Sequence, residues 1–151
     1  MTRINCIPAE CLLDQHLLAE YNETAMALAS LRRSKATGRP LPKRDEYTLN
    51  AGHVIFFYDK GKFLKRRYES LKAELLRRGY NLDANRKMEW EVYDKPELLK
   101  DWTPSLKDQK INVERILQRM MAKPTWYKYN RKPIDIEFWQ KKYSEWSYKP
   151  V

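Results

Sequence analysis

The sequence predicts an all-α domain on three observations. Apolar residues recur at three- and four-residue steps through three long segments. The run most apolar and strand-like, Ala51 to Lys60, has no obvious strand partner. The 151 residues show no internal repeat or low-complexity tract, so a single domain spanning 1–151 is the simplest arrangement.

Residues 1–7 read as extended, and Pro8 with Glu10 suits the first turn of a helix. From Ala9 to about Lys35, Leu13, Leu17, Tyr21, Ala25, Leu28 and Leu31 mark the apolar face of one long amphipathic helix. His16, Glu20, Glu23 and Ala27 fall on a different stripe, which points Glu23 away from the main core; by composition it is an ordinary solvated glutamate. Arg32, Arg33 and Lys35 complement the helix C-terminus, and Thr37-Gly38-Arg39-Pro40 stops it. Residues 38–61 form a long ordered connection whose apolar centre reads as a buried connection or short helix, with His53 as a hydrogen-bonded structural histidine. In a second helix, Gly61 to Arg78, Leu64, Tyr68, Leu71 and Leu75 point inward, with Lys65, Arg66, Arg67, Lys72, Arg77 and Arg78 around them. Gly79 suits the position after its C-cap.

Residues 80–103 read as irregular. A third helix follows Pro104 and runs to about Lys123, with Leu106, Val113, Ile116, Leu117, Met120 and Met121 as its apolar side and the methionine pair as core filler. On it Arg115 and Arg119 lie one turn apart and project together, as a solvated pair or as a clamp for adjacent phosphates. Pro124 ends that helix. Between Thr125 and Lys132 come three aromatics and three cations in eight residues, a pattern that fits base stacking with phosphate contacts and equally fits packing on a helical core. Asp135 caps a last short helix from Ile136 to about Trp146.

Lys and Arg number 30 against 20 acids, a formal net charge of +10. Such an excess favours a polyanionic partner, nucleic acid before an anionic membrane surface. Ten tyrosines and five tryptophans, several among basic residues, tilt the choice to nucleic acid, because rings stack on bases while cations neutralise phosphates. No run reaches the ~20 apolar residues of a membrane span, and the N-terminus lacks the apolar core of a secretory signal, so an intracellular location is the default. Cys6 and Cys11 are the two cysteines; with His16 they fall short of a metal set, so no metal is expected and both thiols read as reduced packing residues. Thr2 is small, so removal of Met1 is expected, leaving an α-amine with a pKa of about 8. Uncharged in part near neutral pH, that amine is a nucleophile able to form a Schiff base, and a carboxylate such as Glu23 would stabilise developing positive charge and move protons.

Six segments then carry a resemblance: MTRIN at 1–5, DQHLLAEY at 14–21 with Glu23, AGHVIFFYDK at 51–60, FLKRR at 63–67, RRGYN at 77–81 and KPTWYKY at 123–129. In order and spacing the chain resembles the phage-type endonuclease V proteins, pyrimidine-dimer DNA glycosylases with abasic-site lyase activity. The resemblance implies a compact fold of three main helices around an N-terminal segment that passes between them. It also implies attack of the Thr2 α-amine on the sugar's anomeric carbon, with Glu23 holding the cationic intermediate and assisting β-elimination, and with no cofactor. Carried across by position, Arg3, His16, Asn22, Arg115, Arg119, Lys123, Trp126, Tyr127, Lys128 and Tyr129 would contact double-stranded DNA carrying a lesion. A monomer is expected. Residues 132–151 extend beyond the resemblance as a C-terminal extension.

Two departures bear on the lesion site. The family usually reads Arg-Glu where this chain has Asn22-Glu23, and its phage member has a second arginine one turn later, where Met26 stands; after WYKY the chain gives Asn130-Arg131 instead of the phage member's Tyr-Gly. Loss of an arginine beside Glu23 removes a phosphate contact and a cation that would help keep the carboxylate ionised. The alternatives are therefore a glycosylase of the same chemistry for another damaged or modified base, and a non-catalytic DNA-binding relative.

Overall fold

The computed structural model describes residues 3–151, and among these the periodicities resolve into five α-helices and one small hairpin. They are α1 (Asp14–Ala36), α2 (His53–Phe56), α3 (Gly61–Arg77), α4 (Leu106–Ala122) and α5 (Ile136–Ser144), with strands β1 (Lys128–Tyr129) and β2 (Lys132–Pro133) between the last two. The all-α expectation holds. None of the described helices is long and apolar enough to cross a membrane.

The first helix begins at Asp14 instead of Ala9. Ala9–Cys11 make a separate 3-10 turn, and Leu12 and Leu13 are extended (ψ 142° and 156°), with both side chains fully buried. Two large apolar side chains here bury better from extended backbone than from a helix face, and Asp14 then opens α1 where the helix dipole favours an anion. The Thr37-Gly38 stop is as expected, with the Gly38 N–H closing on the Lys35 carbonyl at 3.1 Å. α3 ends in a Schellman pair: the Tyr80 N–H donates to the Leu75 carbonyl (3.1 Å) and the Gly79 N–H to that of Leu76 (3.0 Å), with Gly79 at φ +85°. At its other end Gly61 lies under the Tyr93 ring, which a Cβ would meet at 2.6 Å. Ser105 and Asp108 form a capping box on α4, and Asp135 caps α5 through the Glu137 and Phe138 N–H groups.

Two apolar clusters make the core. One gathers Leu13, Leu17, Leu71, Leu75, Ile116 and Met120 with Trp139, Tyr143 and Trp146; the other gathers Leu28, Leu31, Phe57, Phe63 and Leu64 with Tyr47 and Tyr93. The N-terminal segment runs along the seam, giving Ile4 and Cys6 to the second cluster and Ile7 to the first, all fully buried. Truncating such a side chain to alanine costs about 2–5 kcal/mol. The C-terminal extension is part of the same packing. The Tyr143 hydroxyl donates to the Cys11 carbonyl (2.7 Å), and the Trp146 indole N–H donates to Gln109 Oε1 (3.0 Å).

Several side chains sit differently from their sequence pattern. Arg67 and Arg78 are 2% and 3% exposed rather than spread around α3, while Leu106 and Met121 face solvent on α4. Met120 is core, as expected of the pair, but Met121 is not. α1 buries Glu20, Glu23 and Thr24 as well as its apolar face, because the N-terminal segment and α3 cover the side that the sequence leaves polar.

Candidate active site and nucleic-acid interface

The backbone at the start of the described residues is pinned on every side. Arg3 Nε donates to the Leu49 carbonyl (2.7 Å), the Ile4 N–H to His53 Nε2 (2.9 Å), and the Tyr47 hydroxyl to the Ile4 carbonyl (2.9 Å). His53 Nε2 is thus an acceptor, so Nδ1 carries the proton and donates to the Thr48 carbonyl at 2.6 Å. Burial holds its pKa down to about 4, so this fixed tautomer persists across neutral pH. Asn5 Nδ2 donates to Glu20 Oε1 (2.8 Å) while its Oδ1 accepts from Asn112 (2.6 Å), and Asn112 Oδ1 in turn accepts the Cys6 N–H (2.7 Å). Arg67 meets Glu20 with two N–H groups (2.7 and 2.9 Å) and donates to the Ile7 carbonyl. Side chains from α1, α3 and α4 therefore grip residues 5–7 in one buried polar network. Thr2 itself lies outside the described residues.

Glu23 follows one α-helical turn and then another after Ala19 and His16, on the side of α1 that looks onto this segment. It is 7% exposed rather than solvated. Burial raises its pKa above the usual carboxylate value; the nearby Arg3 guanidinium pulls the other way, and the Glu20 charge adds to the rise. A buried carboxylate beside a cation, with its pKa moved upward, is a candidate acid–base and charge-stabilising group.

Next to Arg3 opens a cleft of about 160 Å³, several times the ~30 Å³ of a water molecule. Arg3, His16, Ala19, Arg115, Arg119 and Trp126 line it together with Gln15 and Tyr127, while Glu23 lies outside the lining. His16 packs at a tilt against Tyr127 (4.8 Å between ring centroids, 33° between planes), and both its ring nitrogens, together with Arg115 Nε, are buried without a partner among the described residues. Burial first, and then the Arg119 charge, hold the His16 pKa down to about 4. The ring is neutral at pH 7, with one donor and one acceptor unoccupied. Arg115 is half-buried, and burial, Arg119 and Arg3 all depress its pKa. Neither Arg115 nor Arg119 has an ion pair among the described residues. Unpaired polar groups and mutually repelling cations around one hollow make a site prepared for an anionic, hydrogen-bonding ligand.

The aromatic-basic stretch divides. Trp126 is 54% exposed, with Lys123 over its ring at 5.1 Å, and Lys128 is exposed. Tyr127 is 6% exposed against His16, and the half-buried Tyr129 donates its hydroxyl to the Glu10 carbonyl (2.8 Å) under the Arg78 guanidinium. The stretch turns back on itself through Asn130 and Arg131, both at positive φ, pairing Tyr129 with Lys132. Asp14 secures that turn: its carboxylate accepts the Asn130 and Arg131 N–H groups (2.9 and 2.7 Å), Arg78 (2.7 Å) and the Tyr80 hydroxyl (2.7 Å). Asn22 is exposed, and its Oδ1 accepts from Arg86 (3.0 Å), so a guanidinium from the loop after α3 stands beside it.

Sequence reasoning missed Gln15, Asn5, Asn112 and Arg86. Gln15 holds the 126–128 backbone from both sides, donating to the Trp126 carbonyl (2.7 Å) and accepting the Lys128 N–H (3.0 Å). Gln109 and Asn112, three apart on the buried side of α4, are the one visible signal: amides on an inward helical face need partners. Comparison with known families gives a match over residues 1–88 to the family described as pyrimidine dimer DNA glycosylase.

Proposed function

The chain belongs to the pyrimidine dimer DNA glycosylase family, and from that premise we propose that it cleaves the glycosidic bond at a pyrimidine dimer through its N-terminal amine and then nicks the strand. In this reading the Thr2 amine attacks C1′ of the damaged nucleotide. The glycosidic C–N bond breaks with its electron pair on the departing base, which takes up a proton, and the sugar opens to an imine. The imine acidifies the C2′ proton. Glu23 takes that proton, and the C3′–O bond breaks with the phosphate as leaving group.

The observation that carries the reading is Glu23 itself, a buried carboxylate with a raised pKa beside Arg3, at the segment whose next residue toward the N-terminus is Thr2. A carboxylate protonating more readily than usual is suited to accept a proton and, while ionised, to face a cationic sugar. The cleft lined by His16, Arg115 and Arg119 supports a DNA-docking surface on the same side, with Trp126 and Lys128 at its edge. Phosphate contacts would set the register of the duplex, and the weakened stacking of a dimer would favour its deformation there.

Borohydride trapping on three matched duplexes tests this: one with a cis-syn thymine dimer, one with an abasic site, one undamaged. The expected result is a covalent adduct on the first two, lost when Met1 is retained or the amine is acetylated. Trapping at the abasic site alone would redirect the search to another base. No adduct on either damaged duplex, with Met1 shown absent by mass, would overturn the amine mechanism.

A further inference from the structure

We infer that Arg86 contacts a DNA phosphate at the rim of the dimer-cleaving site, with Tyr21 and Asn22 as its positioning residues; this rests on reading the surface around Glu23 as the DNA-docking face. The loop after α3 is closed on itself, Asp83 accepting the Asn85 N–H on its side chain (2.9 Å) and the Arg86 N–H on its carbonyl (3.2 Å). From that loop the Arg86 guanidinium lies over the Tyr21 ring at 4.6 Å and donates Nη1 to Asn22 Oδ1 at 3.0 Å. Both holders immediately precede Glu23 in the chain. The orientation of the guanidinium is thus set by α1, one residue from the candidate catalytic carboxylate.

Arg86 has a different kind of partner from the arginines committed to carboxylates. Arg32, Arg66, Arg67, Arg77 and Arg78 each face a carboxylate. Arg86 has no ion pair among the described residues; it is held by a ring and a neutral amide. Its orientation is fixed while its charge is left uncompensated, and most of its five N–H donors remain for another ligand. A planar fork held in this way matches a phosphate's oxygens better than a mobile lysine would. Asn22, with its acceptor oxygen already engaged, acts on DNA through Arg86. Met26, one turn further along α1 from Asn22, is 62% exposed.

The test is binding to a duplex carrying a tetrahydrofuran abasic analogue, which cannot form an imine, at salt concentrations spanning a fourfold range. One phosphate contact contributes about 0.9 to the slope of log affinity against log salt, so wild type loses about 3.5-fold more affinity over that range than Arg86→Ala. Arg86→Lys keeps the slope and binds more weakly. Asn22→Ala weakens binding alone and adds nothing in the Arg86→Ala background. An Arg86→Ala protein of unchanged melting temperature, affinity and slope would overturn the assignment, and additive losses would overturn the positioning role of Asn22. Trapping of wild type on a natural abasic site is run beside it. A missing adduct with the slope change intact would sink the imine reading and leave Arg86 standing; an adduct with no slope change would sink Arg86 alone.

Discussion

Replacing Arg67 with methionine strips the guanidinium from a carboxylate that has nowhere to go. Glu20 is 0% exposed, and in wild type it receives two N–H groups from Arg67 and one from Asn5. Arg67→Met leaves a buried anion with a single neutral donor and the Ile7 carbonyl without its Arg67 partner. Breaking one side of a buried pair costs about 3–5 kcal/mol. For a chain of this length each kcal/mol lowers the melting temperature by about 2–4 °C, so the expected fall is about 6–20 °C. Glu20→Leu should cost a similar amount, since it strands the guanidinium. The double substitution Glu20→Leu/Arg67→Met removes both charges and should melt above either single variant, although Asn5 then loses an anchor. Below the melting point of the double variant, trapping on abasic DNA should still fall, because Asn5 no longer ties residues 3–7 to α1. Differential scanning calorimetry with trapping yields decide the matter. A double variant that melts at the sum of the two single losses would refute mutual neutralisation, and full trapping in it would refute the link between this pair and the N-terminal segment.

Asp14 is held below the ordinary carboxylate range because four donors outweigh the effect of its burial. A depressed folded pKa means that the folded state binds fewer protons than the unfolded chain, so its stabilising contribution is full above the ordinary aspartate pKa of about 3.9 and drains away as pH falls through the folded value. Urea midpoints should therefore drop less steeply on the acid side in Asp14→Asn than in wild type; equal slopes would refute the assignment. For Glu23 the shift is upward, so at saturating abasic DNA the acid limb of strand cleavage should lie above the ~4.3 of an unperturbed glutamate. Arg3→Gln removes the charge opposing that rise and should move the limb higher still, and a limb that stays put or falls would contradict it. Tyr127→Ala should cost about 3–5 kcal/mol of stability, as expected of a buried aromatic, whereas Trp126→Ala should leave the melting temperature nearly unchanged and weaken lesion-DNA binding by about 1–3 kcal/mol. The reverse pattern in melting and binding assays would reassign the two rings.

The helices were legible where periodicity and punctuation agree. Leu64, Tyr68, Leu71 and Leu75 with Gly79 mark α3 almost to the residue, and Asp135 marks the start of α5. Periodicity misled where burial did not require a helix. Leu13 continues the α1 stripe in sequence, yet Leu12 and Leu13 pack from extended backbone and the helix starts one residue later. The β1–β2 hairpin was hidden for a different reason. Its turn uses Asn130 and Arg131 at positive φ, where glycine is the usual signal, and an arginine there is tolerated because Asp14, more than a hundred residues away, accepts both turn N–H groups. No local pattern encodes that partner.

The same limit explains the site. Glu23 was singled out by its companions in the sequence, but nothing local says whether a glutamate on a polar stripe is solvated. Its burial depends on what covers the stripe: an N-terminal segment fastened by Asn5, Asn112, Glu20 and Arg67 from three helices. These residues read as ordinary polar surface positions because their partners are 15, 47 and 107 residues apart in the chain. A buried polar network of this kind contributes little net stability for its size, since desolvation offsets most of its attraction. What it does contribute is position. Apolar packing alone would tolerate a slip of the segment along the seam between the two clusters, whereas paired amides and a two-pronged guanidinium accept one register. Among the described residues, then, the charges and amides at 5, 20, 67 and 112 fix where Arg3 lies relative to Glu23.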